Sequence, residues 1–260
     1  MCYWRAMDGM DDDLWHRLLR RDPADAGACP LYGPLLASSP TGDGCFVLGR
    51  IAQSLDGRIA TSNGASRWIS GTADLIHTHR LRALFDAIVV GAGTVRADDP
   101  QLTTRRVSGP SPVRVIVDTK RRLDARYKIF HDDGPLTLLC TAADSDGPDH
   151  LGNAQVVRLP RDGDGVEPAA VLTALAARGL RRVFIEGGGI TVSRFLTAGM
   201  LDRLHVTVAP LLLGGGVPAF TLPPALAPAD GLRFDWNVHS IPPDVLLDIP
   251  LRRLAPIGDL

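Results

Sequence analysis

Hydrophobic positions along this chain recur in two rhythms. Residues 11–21, DDDLWHRLLRR, place Leu14, Trp15, Leu18 and Leu19 on one face, with acids first and Arg20 and Arg21 last. This spacing predicts an amphipathic helix whose charges suit its dipole. The proline- and glycine-rich DPADAGACPLYGPLLASSPTGDG that follows predicts an irregular segment wrapped onto the main body. The expected division is an N-terminal extension over 1–44 and a main domain over 45–255. Within that domain CFVLGRIAQS, AIVVG, VRVIVD, LTLLC, QVVRL and RRVFIE are short, nearly all apolar and rich in β-branched residues, as buried parallel strands are. GTADLIHTHRLRAL, with Ser70 or Thr72 as N-cap, PAAVLTALAARG and GITVSRFLTAG predict helices between them. RLHVTVAPLLLG, RFDWNVHSI and DVLLDIPL then follow without a helix, which predicts antiparallel strands. The fold class is α/β, a three-layer α/β/α arrangement around a mixed, mainly parallel sheet with an antiparallel C-terminal end.

Composition narrows the function without naming it. The 260 residues are 45% hydrophobic and 22% charged, and 28 basic residues stand against 29 acidic ones. A net charge of −1 provides no bulk attraction to nucleic acid or to an anionic membrane. There is no apolar run long enough to span a bilayer, and MCYWRAMDGMDDD lacks the order of a signal peptide. The expectation is a cytoplasmic protein. Cys2, Cys29, Cys45 and Cys140 show no CxxC spacing, and the histidines no HExxH or HxE, so no metal is expected.

Three junctions between strand and loop carry candidate chemistry. In RRVFIEGGGITVSRFL, three glycines separate a strand from a helix, where free N–H groups and the dipole attract phosphate; the same pattern also makes a tight turn. In AIVVGAGTVRADDPQLTTR, Gly91 and Gly93 open space beyond a strand end, Thr94 offers a hydroxyl, Asp98 to Pro100 form a turn, and Arg105 closes the loop. In VRVIVDTKRRL, Asp118 suits a ribose diol, whereas Thr119, Lys120, Arg121 and Arg122 suit a 2′-phosphate and favour NADPH over NADH; an exposed charged turn reads equally well. Ser66, Arg82 and Arg105 would form a clamp for a phosphomonoester if they converged, because the guanidinium fork matches phosphate oxygens. Asp56, in SLDG, reads as a turn residue.

SLDGRIAT, GASRW, HRLRALFDAIVVGAGTVRADDPQLTTR, PVRVIVD, VFIEGG and LHVTVAPLLLGGG, in this order, resemble the reductase family of riboflavin biosynthesis. That family includes the C-terminal half of the bifunctional deaminase-reductase and has a dihydrofolate-reductase-like fold. The resemblance, over about 45 to 250, implies NADPH-dependent reduction of the ribosylamino sugar of a 5-aminouracil 5′-phosphate to the ribityl form. It implies that Ser66, Arg82, Leu102, Arg105 and Glu186 bind the substrate, and that Glu186 orients it or takes part in proton transfer. It implies a cofactor site of Ala52, Trp68, Ser70, Thr94, Asp98, Thr119 and the run Gly188, Gly189, Ile190, Thr191, Val192, Ser193 and Arg194. It also implies a homodimer with a phosphorylated small-molecule substrate, without nucleic-acid or membrane partners.

Two features depart from the family pattern. Many members carry lysine where this chain has Arg50, and arginine does not readily share a proton. The zinc deaminase signatures are missing. Two other functions remain open at this point: the same reductase chemistry on another pterin-like or pyrimidine substrate, and a silent module that binds NADPH.

Overall fold

The computed structural model describes residues 10–37 and 44–251. The chain opens with α1 (Asp12–Leu19) and α2 (Gly33–Ala37), then β1 (Phe46–Ser54), β2 (Arg58–Ala60) and α3 (Thr72–Leu84). It continues through β3 (Ala87–Gly91), α4 (Ala92–Asp98), β4 (Val113–Val117), β5 (Thr137–Ala142), β6 (His150–Leu151) and β7 (Ala154–Leu159). A small hairpin of β8 (Arg161–Asp162) and β9 (Gly165–Val166) leads to α5 (Pro168–Ala176), β10 (Arg182–Glu186) and α6 (Gly189–Thr197). The chain finishes with β11 (Arg203–Ala209), β12 (Val217–Pro218), β13 (Asn237–Ile241) and β14 (Asp244–Pro250).

Ten strands form one sheet in the order β13-β14-β11-β1-β10-β3-β4-β5-β7-β6. The pairings from β11 to β7 are parallel, whereas β13, β14 and β6 pair antiparallel. Alternation along each strand divides the core in two, because successive side chains point to opposite faces. On one face Phe46, Leu48, Ile88, Val90 and Phe184 pack under α1, α2 and α3. On the other, Val47, Ile51, Val89, Val115 and Ile185 meet α5 and α6 through Leu172, Leu175, Val192 and Phe195. The expected mixed sheet, helices on both faces and antiparallel C-terminal strands are all present.

Three local expectations are corrected. The segment after α1 contains a 3₁₀ turn at Pro23–Gly27 and then α2, and it buries Leu31, Tyr32 and Leu35 in the same core as α3. The stretch after β3 is the helix α4, which ends where Asp99 takes a left-handed conformation, φ +40°. The N-cap of α3 is Gly71, because the Ser70 hydroxyl turns to the Asp74 carboxylate instead.

Candidate active site

Arg50, Glu186, Thr207, His205 and Asp248 lie at alternating strand positions on the face covered by α3. Parallel pairing sets Arg50 of β1 opposite Glu186 of β10 on one side and His205 of β11 on the other. α3 supplies Asp74, His77, His79 and Arg82, all buried. Buried charges require partners, and these residues find them within the strip. Asp74 forms an ion pair with Arg50 and accepts the Thr207 hydroxyl at 2.7 Å. Arg82 clamps Glu186 through both fork positions, Nε to Oε2 at 2.8 Å and Nη2 to Oε1 at 2.5 Å, and its Nη1 donates to the Thr103 carbonyl at 3.0 Å.

Arg105 approaches the same pair from the loop after α4. Its backbone N–H donates to Nδ1 of His79 at 3.1 Å, so the neutral imidazole carries its hydrogen on Nε2. Burial would raise the Glu186 carboxyl, but Arg82 and then Arg50 and His79 outweigh it and hold the group below its ordinary range. Burial, followed by Arg82 and Arg105, pushes His79 down to about 4. Burial and then the neighbouring Arg82 and Arg106 lower Arg105 as well. Among the described residues, the Arg105 guanidinium has no carboxylate partner, whereas that of Arg82 is fully engaged. One arginine thus positions an ionised carboxylate and the other is available to an anion.

The glycine corners lie beside this cluster. Gly187 and Gly188 hold φ of +68° and +71°, a conformation that side-chain-bearing residues rarely adopt. A Cβ on Gly188 would sit 2.9 Å from the Thr94 hydroxyl, and one on Gly91 would sit 2.5 Å from that of Thr191. The turns β3 to α4 and β10 to α6 therefore face each other with two hydroxyls between them. Cβ atoms on Gly93 and Gly187 would meet open space. α6 starts at this gap without a side-chain cap: the Thr191 and Val192 N–H groups turn back to the Gly188 carbonyl, and those of Gly189 and Ile190, ahead of them, are the ones a ligand could meet. Trp68, 80% exposed, holds φ +69°, strained for an aromatic residue.

The residues of the α6 run differ in what they present. Ile190 is 69% exposed, and Thr191 faces the gap. Val192 lies wholly within the core, and Ser193 is buried with its hydroxyl accepting the Thr221 N–H at 2.8 Å, so neither side chain is open to a ligand. Gly189 is required by close packing, since a Cβ there would lie 2.6 Å from the Ala219 carbonyl. Arg194 reaches under the β8 and β9 hairpin to the Val166 carbonyl. Ala52 is half-buried on β1, and Ser70 serves Asp74. Ser66 donates to Asp98 at 2.9 Å, tying its loop to α4. The side chain of Leu102 is buried, with φ +55°.

At the end of β4, Thr119, Lys120, Arg121, Asp144, Ser145, Asp146 and Arg161 line a cavity of about 330 Å³. Two expectations fail here. Asp118 is buried and one of its oxygens accepts the Leu123 N–H at 2.8 Å, so it serves as a turn acid and not as an exposed acceptor for a ribose. Arg121 is spent on the carbonyls of Asp146, Pro148 and His150. The Thr119 hydroxyl accepts the Val166 N–H at 3.1 Å, leaving Lys120 and Arg122 as the exposed cations of that turn. Asp56, as expected, is a turn residue: it accepts the Ser54 hydroxyl and the N–H groups of Leu213 and Gly214, and these bonds lower its carboxyl to about 2.

Sequence reasoning missed His79 and the pairing role of Asp74. Asp74 reads from sequence as an acid in a helix's first turn. The one available signal was the spacing of Asp74, Thr78 and Arg82, which puts polar side chains on a single face of a helix that must also be buried.

Comparison with known proteins agrees with this architecture. The RibD C-terminal domain model matches residues 46–245. The chain is 37% identical over 191 residues to the riboflavin biosynthesis protein RibD of Bacillus amyloliquefaciens, covering 72% of this chain and 50% of that protein. It is 37% identical over 178 residues to the 2,5-diamino-6-ribosylamino-4(3H)-pyrimidinone 5′-phosphate reductase of Methanothermobacter thermautotrophicus, covering 65% and 80% respectively. The crystal structure of the deaminase/reductase from Thermotoga maritima superposes with a TM-score of 0.67 at 27% identity, over 85% of this chain and 60% of that one. The chain spans about half the length of the curated RibD relatives it matches. Matched from β1 into β14, with its sheet order and glycine corners in the matched region, the chain belongs to the RibD C-terminal domain family.

Proposed function

We propose that this chain is an NADPH-dependent reductase of riboflavin biosynthesis, acting on the ribosylamino group of a 5-aminouracil 5′-phosphate. The observation that supports this most is the pairing of Arg82 with Glu186 beside the carboxylate-free guanidinium of Arg105. Arg105 would hold the phosphate, and Arg82 would hold Glu186 so that its oxygens accept hydroxyls of the sugar. Glu186, ionised by its neighbours, acts as a positioning acceptor and not as a proton donor. Ser66 would close the same pocket from its loop.

The space kept open by Gly91, Gly93, Gly187 and Gly188, with Thr94, Thr191 and the start of α6 around it, fits a pyrophosphate. Ile190 offers apolar surface at the start of α6 and Trp68 an exposed ring, and Lys120 at the Thr119 cavity would meet a 2′-phosphate, Arg161 there being paired with Asp144. NADPH, when bound, supplies hydride to the electrophilic carbon of the ring-opened ribosylamine. Arg50, locked to Asp74, keeps a fixed positive charge near Glu186 and offers no transferable proton.

The named archaeal relative favours a second reading, in which the base is the 2,5-diaminopyrimidinone instead of the uracil. We further propose a homodimer that works in the cytoplasm; no described helix is long and apolar enough to cross a membrane. The test is NADPH oxidation, followed at 340 nm, with each of the two phosphorylated substrates. Arg105→Ala should raise KM for the substrate at least tenfold, in line with loss of a charge-assisted contact, with little change in the Kd for NADPH. Tight NADPH binding without turnover of either substrate would favour the silent module.

A further inference from the structure

We infer that the N-terminal extension sets the anion-binding Arg105 against the Arg82–Glu186 pair, with Trp15 as the positioning residue. This deepens the proposed function and rests on it. Residues 10–37 lie outside the segment matched by the family model, yet they touch both elements that bring Arg82 and Arg105 together. From α1, the Trp15 indole N–H donates to the Ser108 carbonyl at 2.9 Å, three residues beyond Arg105. Gly109, next in the loop, is squeezed between α1 and α3: a Cβ there would lie 2.8 Å from the Ala83 Cβ and 3.0 Å from the Leu19 Cδ2. Ala83 is the neighbour of Arg82.

The same extension grips α3. The Arg80 guanidinium lies 5.5 Å from the centre of the Trp15 ring and 5.9 Å from that of Tyr32. The Tyr32 hydroxyl is 2.9 Å from Nδ1 of His77, within a fully buried contact. Loop and helix are thus held by one element, so the separation of the two guanidinium heads depends on it. Held to α3 only by the Arg105 N–H on His79 and the Arg82 bond to the Thr103 carbonyl, the loop would have more freedom at its tip.

Trp15→Phe keeps the ring and removes only the donor. It should raise KM for the phosphorylated substrate about fivefold, the size of one lost neutral hydrogen bond, with kcat and the Kd for NADPH within about twofold of wild type. Leu19→Ala, which loosens the Gly109 contact from the same helix, should shift KM in the same direction if Trp15→Phe does not fold. Arg21→Ala is the control: it breaks the ion pair with Asp86 and leaves the Trp15 bond and the Leu19 contact in place, so it should lower Tm with KM unchanged. Binding of ribose 5-phosphate, measured by calorimetry, gives a second readout free of turnover. If wild type neither binds that probe nor turns over, the functional reading fails. If wild type does both and the Trp15 and Leu19 variants match it, or if Arg21→Ala shifts KM equally, the inference fails alone.

Discussion

Glu186 ends a buried strand and stays ionised because the bidentate Arg82 fork and the charge of Arg50 outweigh the cost of burial. His79, three residues before Arg82 on α3, meets the opposite fate: with burial and then Arg82, Arg105 and Arg106 against its charge and only Glu186 in its favour, it stays neutral to about pH 4. Its folded value lies below the ordinary 6.5, so the stability it contributes is complete above that pH and is lost as the pH falls from 6.5 through about 4. Linkage caps the loss at about 3 kcal/mol. Urea unfolding at pH 7.5 and 4.5 should therefore show a larger acid loss in wild type than in His79→Asn, whose amide oxygen can still accept the Arg105 N–H. Equal losses in the two proteins would mean that His79 is not held neutral.

At the scale of elements, α4 separates a structural role from a binding role. Gly93 lies inside this helix, where glycine costs roughly 0.5–1 kcal/mol relative to alanine, and a Cβ there meets nothing within 4 Å. Gly93→Ala should thus raise stability by about that amount. If NADPH lies in the gap between the β3 and β10 turns, the same methyl group should raise the Kd for NADPH severalfold. A gain in Tm with unchanged NADPH affinity, read by fluorescence titration, would move the cofactor elsewhere. The helix itself was not legible in the sequence: AGTVRAD has no apolar period, and its flanking glycines and Asp-Asp-Pro read as loop. The strands were legible, because apolar β-branched runs between turn formers leave few other choices. The candidate residues Arg82, Arg105 and Glu186 were visible as residues, but not their pairing, since 104 positions separate Arg82 from Glu186 and only the sheet order brings them together.

For the whole molecule, the open question is what covers the antiparallel end of the sheet. α5 and α6 pack over the central strands, while β13 forms an edge with 55% of Val238 exposed, beside Val245 at 40% and Trp236 at 57%. Val238 pairs with Leu247, and Val245 follows two positions earlier on β14, so these side chains share one face. An apolar edge strand is a template for pairing with another chain, and soluble proteins usually charge it or cover it. No charge stands at Val238 or Val245. A second copy related by a two-fold axis would cover both edges with one contact, whereas an unrelated partner would have to be present wherever the enzyme is. The paired aspartate substitutions Val238→Asp and Val245→Asp would set like charges against each other across that axis. Sedimentation velocity at micromolar concentration should give a dimer for wild type and a folded monomer for the double variant. A wild-type monomer at tens of micromolar, or a variant that still dimerises, would place the contact on another surface.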